Sequence, residues 1–140
     1  MDKHEIEIVR NDWARLRPNG RLLARLFYTR LFLAEPALRQ RFGSSAEAQT
    51  QRLIQSIDIV VYGLRQPRVL LPLLAQLGRC HKAGGIGPAH YEMIGVALLW
   101  TLKIALAKSF TAASQRAWSN LLGMLAGILQ DAARPLPEAA

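Results

Sequence analysis

Apolar residues recur at steps of three and four along almost the whole chain, and no stretch alternates with the period of two that a half-buried strand needs. Ile6, Val9, Trp13 and Leu16 form the first such stripe, which ends near Pro18-Asn19-Gly20. Residues 21–34 carry a second, made of Leu22, Leu23, Leu26, Phe27, Leu31 and Phe32, and Glu35-Pro36 opens a short third turn through Gln40. Proline at a first helical position has no amide proton to lose. Gly43-Ser44-Ser45 breaks the pattern, and Ser44, three residues before Glu47, predicts a capping box for a helix running to about Leu64. Residues 69–80 predict another helix, whose Pro72 suits a first turn better than a middle. The AGGIGP string at 83–88 cannot stay helical. From Pro88 to about Ala107 the chain is apolar on most sides, as the central helix of a bundle should be. Thr111 is a fair N-cap for a last helix built on Trp118, Leu121, Leu122, Leu125, Ile128 and Leu129, which stops by Ala133 before Pro135 and Pro137. The pattern predicts one all-α domain of six or seven helices over residues 1–134, with a short disordered tail at 135–140.

Composition narrows the classes. With 140 residues there is room for one core but not for a second catalytic module, and 51% hydrophobic against 20% charged residues is a globular balance. Cys80 is the only cysteine, which excludes an intrachain disulfide and a thiolate-rich metal cage and makes a reducing, cytoplasmic setting the simplest expectation. The opening MDKHEIEIVRND lacks the apolar run of a signal peptide, and the longest apolar stretch, 93–102, stops at Lys103, so neither export nor a membrane span is expected. A net charge of +8 suggests nucleic acid. Yet Arg21, Arg25, Arg30, Arg39, Arg41, Arg52, Arg65 and Arg68 are spread over several helical segments with no dense basic run. A solvated basic surface is the expected reading, with nucleic acid disfavoured as a partner.

The three histidines differ in setting. His4 lies at the start of the first helix, His90 follows a proline at a helix start, and His81 closes an apolar helix just before the glycine-rich turn. Leu74 and Leu77, seven and four residues earlier, share its helical face, so the imidazole is aimed at the core. It can be a core histidine with a backbone partner or a metal ligand. One histidine cannot build a zinc site, but it can be the sole protein ligand of an iron already held by the four nitrogens of a porphyrin. Cys80 lies about 100° away around the same helix and is read as structural. The GGIG turn has no preceding strand or P-loop lysine, so a phosphate cradle there is weakly supported.

The string LGRCHKAGGIGPAHY at 77–91, with ALLWTL after it and AW at 117–118, resembles the proximal half of bacterial and neuroglobin-like single-domain globins. LFYTRLFLAEPALRQRF at 26–42 is similar to the second and third helices of that family, ending in the phenylalanine that stacks on the haem. The resemblance implies a globin fold around a haem pocket, with haem b as cofactor and His81 as the proximal iron ligand. It sets Phe42 against the porphyrin face, Tyr28 over the bound gas, Gln49 at the distal polar position and Leu53 on the apolar wall beside it. Gln51 competes with Gln49 if the loop after Phe42 shifts the match. Leu77, Ile86, Tyr91 and Ile94 fall at proximal wall positions, or are ordinary core, and Arg52 either pairs with a haem propionate or is solvated. The Leu77 carbonyl is the expected acceptor that fixes the His81 tautomer.

This tyrosine, glutamine and leucine set is similar to the distal pockets of flavohaemoglobins and related bacterial globins, and differs from the distal histidine of neuroglobin. A phenol O–H and an amide N–H both donate to a polarised diatomic ligand, and more strongly to oxygen than to carbon monoxide. A desolvated bond of this kind contributes about 1.5–3 kcal/mol, roughly one to two powers of ten in affinity. One departure bears on chemistry. In flavohaemoglobins a tyrosine at the Tyr91 position joins a glutamate near the end of the last helix to bond the proximal histidine, and here the late position is Ala133. A weaker electron push through the imidazole follows. The expected function is reversible oxygen binding for storage, delivery or scavenging, with carbon monoxide and nitric oxide as further ligands. The alternatives are a nitric oxide dioxygenase served by an external reductase, and a haem-free regulatory or nucleic-acid-binding bundle.

Overall fold

The computed structural model describes residues 1–42 and 45–134; Ser44 and the expected tail at 135–140 lie outside them. Six helices follow in order: α1 Lys3–Leu16, α2 Gly20–Ala34, α3 Ala46–Gly63, α4 Pro67–Ala83, α5 Pro88–Leu106 and α6 Ala112–Ala133. Short 3₁₀ turns at Arg17–Asn19, Pro36–Arg41 and Ala107–Ser109 link three of the junctions. No strand occurs among the described residues, as the periodicity predicts.

Local chemistry sets most of the starts. Asp2 accepts from the Glu5 amide at 2.8 Å, and Thr111 accepts from the Ser114 amide at 3.1 Å, each satisfying an orphan donor of a first turn. The cap of α3 is Ser45, whose hydroxyl accepts from the Ala48 amide at 3.0 Å, one residue later than the Ser44 to Glu47 box expected. No carboxylate stands at the third position of that register, so the reciprocal half of the box is absent. α4 starts at Pro67, two residues earlier than expected, which leaves Pro72 inside the helix. Arg68, whose carbonyl loses its partner there, is exposed to water, as is Pro72 itself.

Two carboxylates pin α1, Asp12 buried and Asp58 half-buried. The Trp118 indole N–H donates to Asp12 at 3.0 Å, tying α1 to α6. The Trp13 indole donates to Asp58 on α3 at 2.8 Å, and Arg17 closes on the same carboxylate at 3.0 Å. Both indoles are fully enclosed in a core that also holds Leu31, Val61, Leu74 and Leu102. Truncating any of those leucines to alanine would cost about 2–5 kcal/mol.

α5 packs against α1, α2 and α6, burying Tyr91, Ala97, Leu98, Thr101 and Leu102. It is less enclosed than its composition suggests, because Val96 and Ile104 are 61% and 51% exposed. Pro88–Ser109 is long and apolar enough to cross a membrane by length and composition, with a mean hydropathy of 1.2. In the fold it is a packed bundle helix. α4 meets α6 at close range: a Cβ on Gly78 would collide with the Leu129 carbonyl, so only glycine permits this approach.

Part of the basic surface has aromatic partners. Arg10, Arg30 and Arg39 sit 5.3, 5.0 and 5.2 Å from the ring centres of Tyr62, Trp100 and Phe32.

Candidate functional site

A cavity of about 460 Å³ opens between α2 and α3 on one side and α4 and α5 on the other. That volume lies in the range of small-molecule and cofactor sites, roughly 300–1,000 Å³. The slot is not filled by aliphatic side chains. From the α2 and α3 side, Tyr28, Phe42, Arg52 and Leu53 line it; from the α4 and α5 side come Leu77, His81, Ile86, Tyr91 and Ile94. Nine of the ten residues named from the sequence are thus brought to one space. Gln49 lies one turn before Leu53, is half-buried, and is not among the lining residues.

The α4 end explains the placement of His81. Gly85 has φ +88, the Ile86 amide donates to the His81 carbonyl at 2.9 Å, and the Gly85 amide donates to Lys82 at 3.0 Å. This is a Schellman closure, with glycine at the left-handed position. It folds Ile86 back beside the imidazole. Pro88 then starts α5, and the Gly87 amide donates to His90 Nδ1 at 2.9 Å. His90 is therefore a capping residue, distinct from the cavity histidine.

His81 Nδ1 lies 3.1 Å from the Tyr91 hydroxyl. The expected Leu77 carbonyl is not its partner, because α5 brings a better placed oxygen across from the next helix. A hydroxyl can donate or accept, so this contact serves an imidazole bound to a metal through Nε2. Burial pushes the His81 pKa below its ordinary value, which keeps the ring neutral, the form that binds metals. Burial is the cause of that shift, and among the described residues no carboxylate acts on the ring. At Ala133, the late position expected to lack a carboxylate, the backbone carbonyl accepts from Lys82 Nζ at 2.8 Å.

Tyr28 is packed among Phe27, Phe32 and Phe42, with ring centres 4.9, 5.7 and 5.7 Å away. Burial pushes its pKa up to about 12, with the nearby Arg52 charge partly opposing. The phenol therefore keeps its proton at neutral pH and faces the cavity as a donor. Arg52 donates to the Phe42 carbonyl at 3.0 Å at the rim.

This arrangement fits a tetrapyrrole and not a bare ion. Among the described residues no group of three potential ligands could hold a metal by itself. A lone neutral imidazole beside an apolar slot suits an iron already chelated in a plane. The arginine at the mouth, with no salt-bridge partner among the described residues, suits the acidic edge of such a group. Sequence reasoning missed Ser56 and Ile57, which continue the Leu53 row into the cavity by the same three and four spacing, and Arg41, which only the fold brings to the mouth. Cys80, read as structural, is exposed and borders the cavity.

The globin family profile matches residues 25–129. The flavohemoprotein of Bordetella parapertussis is 31% identical over 128 residues, covering 89% of this chain and 32% of that protein, so the chain spans about a third of such relatives. Neuroglobin of Tetraodon nigroviridis is 28% identical over 139 residues, covering 89% of this chain and 87% of its own. The solved structure of a hexacoordinated heme protein from an anhydrobiotic tardigrade superposes with a TM-score of 0.86 at 18% identity, over 96% of each chain. With the family profile spanning most of its length and the helical order and cavity agreeing, the chain belongs to the globin family.

Proposed function

We propose that this globin holds haem b through His81 and binds oxygen reversibly. One observation carries the reading: a single apolar cavity sets a neutral imidazole and a neutral phenol on facing walls. When bound, haem supplies a ferrous iron able to take up and release a diatomic gas. The protein's part follows from its own atoms. His81 offers Nε2 to the metal while Nδ1–H donates to the Tyr91 oxygen, which fixes the plane of the ring. Tyr28 donates its hydroxyl proton toward the polar end of the guest, and Gln49, in the same helical row as Leu53, is the second donor of this reading. Phe42, Leu53 and Ile57 exclude water. Apart from His81, the only imidazole or sulfur side chain on the described lining is Cys80, on the α4 side, so neither kind of ligand would meet the haem from the α2 and α3 wall.

Reconstitution with haemin tests the proposal. A Soret band that shifts on reduction and on carbon monoxide addition is expected. His81→Ala should lose stable haem unless imidazole is supplied, and wild-type spectra in that variant would overturn the assignment.

A second reading, nitric oxide dioxygenation, is favoured by the flavohemoprotein likeness. Its electrons would come from a reductase beyond these residues. Against it stands the lack, among the described residues, of a carboxylate acting on His81 beside Tyr91, which would leave the imidazole a weaker donor. Many turnovers of nitric oxide with an added reductase would support this reading, and consumption limited to one equivalent would support oxygen binding alone.

A further inference from the structure

Two arginines stand at the cavity mouth, and only Arg52 enters the reading above. Arg41 ends the 3₁₀ turn Pro36–Arg41, immediately before Phe42. The residue is exposed, yet its guanidinium turns back over the opening, lines the cavity, and donates from Nη1 to the Gly84 carbonyl at 3.4 Å. The seat beneath it is built. A Cβ on Gly85 would collide with the Nη1, Cζ and Nε atoms of Arg41. Glycine at 85 is required by the left-handed turn that closes α4, and its missing side chain leaves the space in which the guanidinium lies.

Arg41 has no carboxylate within salt-bridge distance among the described residues. Its one acceptor is a neutral carbonyl at the long end of hydrogen-bond range. A carboxylate would accept two parallel N–H bonds from the same fork and carry the complementary charge. Arg52 reaches the mouth from α3 and rests on the Phe42 carbonyl, whereas Arg41 reaches the end of α4. The two cations therefore serve different edges of one opening.

We infer that Arg41 is a second carboxylate anchor for the haem, exchanging the Gly84 carbonyl for an acidic group of the macrocycle while it stays seated on Gly85. The inference rests on the haem reading and adds a residue which that reading does not need. Arg41 acts as a positioning residue for retention of the cofactor, outside the gas chemistry.

Transfer of haemin from the reconstituted full chain to excess apo-myoglobin, followed at the Soret band, tests it. Arg41→Gln should lose haemin about fivefold faster than wild type at low salt, the scale of a rim ion pair. The gap should shrink at about 1 M salt, where exposed charges are screened. Arg41→Lys, which keeps the charge but not the fork, should fall between the two. Haemin dimethyl ester, which has no acidic group, should leave wild type and Arg41→Gln at equal rates. Equal haemin loss from wild type and Arg41→Gln would overturn the anchor. So would a gap that persists with the ester, since Arg41 would then act only by holding the turn through Gly84. A wild-type chain that forms no Soret band would overturn the haem reading and the anchor together, a result distinct from either of these.

Discussion

His81 and Tyr91 meet across two helices, Nδ1 to hydroxyl at 3.1 Å, with no carboxylate among the described residues acting on the ring. In that pair the phenol tunes how strongly the imidazole would donate to a metal. Tyr91→Phe should retain haem and lower the iron–histidine stretching frequency in the resonance Raman spectrum of the reduced protein. A band at the wild-type position would show that the contact is not kept once haem is seated.

Tyr28 keeps its proton and points into an apolar slot, so its hydrogen bond should be felt by a polarised guest and little by a less polar one. Tyr28→Phe is expected to speed oxygen dissociation by about 10- to 100-fold and to leave carbon monoxide release nearly unchanged. Stopped-flow ligand replacement measures both. Equal effects on the two gases would remove Tyr28 from the role of donor.

The same burial has an alkaline signature. The Tyr28 pKa is raised from 10.0 to about 12 in the fold, so the unfolded chain releases this proton first as pH rises. Stability from keeping Tyr28 protonated is complete below pH 10 and is lost between there and about 12. Absorbance titration of tyrosinate should show Tyr28 as the last tyrosine to ionise, beyond Tyr91, which burial also pushes up, and Tyr28→Phe should remove that last step. Denaturant melts across that window should flatten in the same variant.

Gly78 is where α4 lies against the Leu129 backbone. Gly78→Ala adds a methyl group with no flexible side chain to displace, and should cost about 1–3 kcal/mol in urea melts despite the better helix propensity of alanine. Since His81 follows three residues later, the variant should also lose haem faster. A neutral or stabilising effect would show that the two helices can separate freely.

The boundaries that local chemistry decides were legible in the sequence, as at Thr111, where one hydroxyl capping one amide marks the start of α6. Adjacent serines were not so decided, since Ser44 and Ser45 are equivalent as local capping groups and the register falls one residue from the expected box. Composition misled at α5, where a sequence apolar on most sides did not mean enclosure on those sides, as Val96 shows. Nine of the ten residues named for the site line the cavity, where helical spacing and the family pattern agreed, but the wall that α6 gives it through Trp118, Leu122 and Leu125 was read only as core. Contacts between helices were less legible: the resemblance set a tyrosine at Tyr91 against the histidine while helical spacing pointed to the Leu77 carbonyl, and the Arg41 guanidinium on Gly85 depends on how α4 and the turn before Phe42 come together. Gln49 shares a helical row with Leu53, but that spacing does not dictate whether its amide reaches the cavity.

Trp118 lines the cavity while its indole N–H is fastened to Asp12, so the ring is rigid and held beside whatever the cavity contains. A near-ultraviolet chromophore at that distance drains the excited state of an indole by energy transfer. The intrinsic fluorescence of this chain is therefore a label-free gauge of loading, bright when the slot is vacant and dark when it is filled.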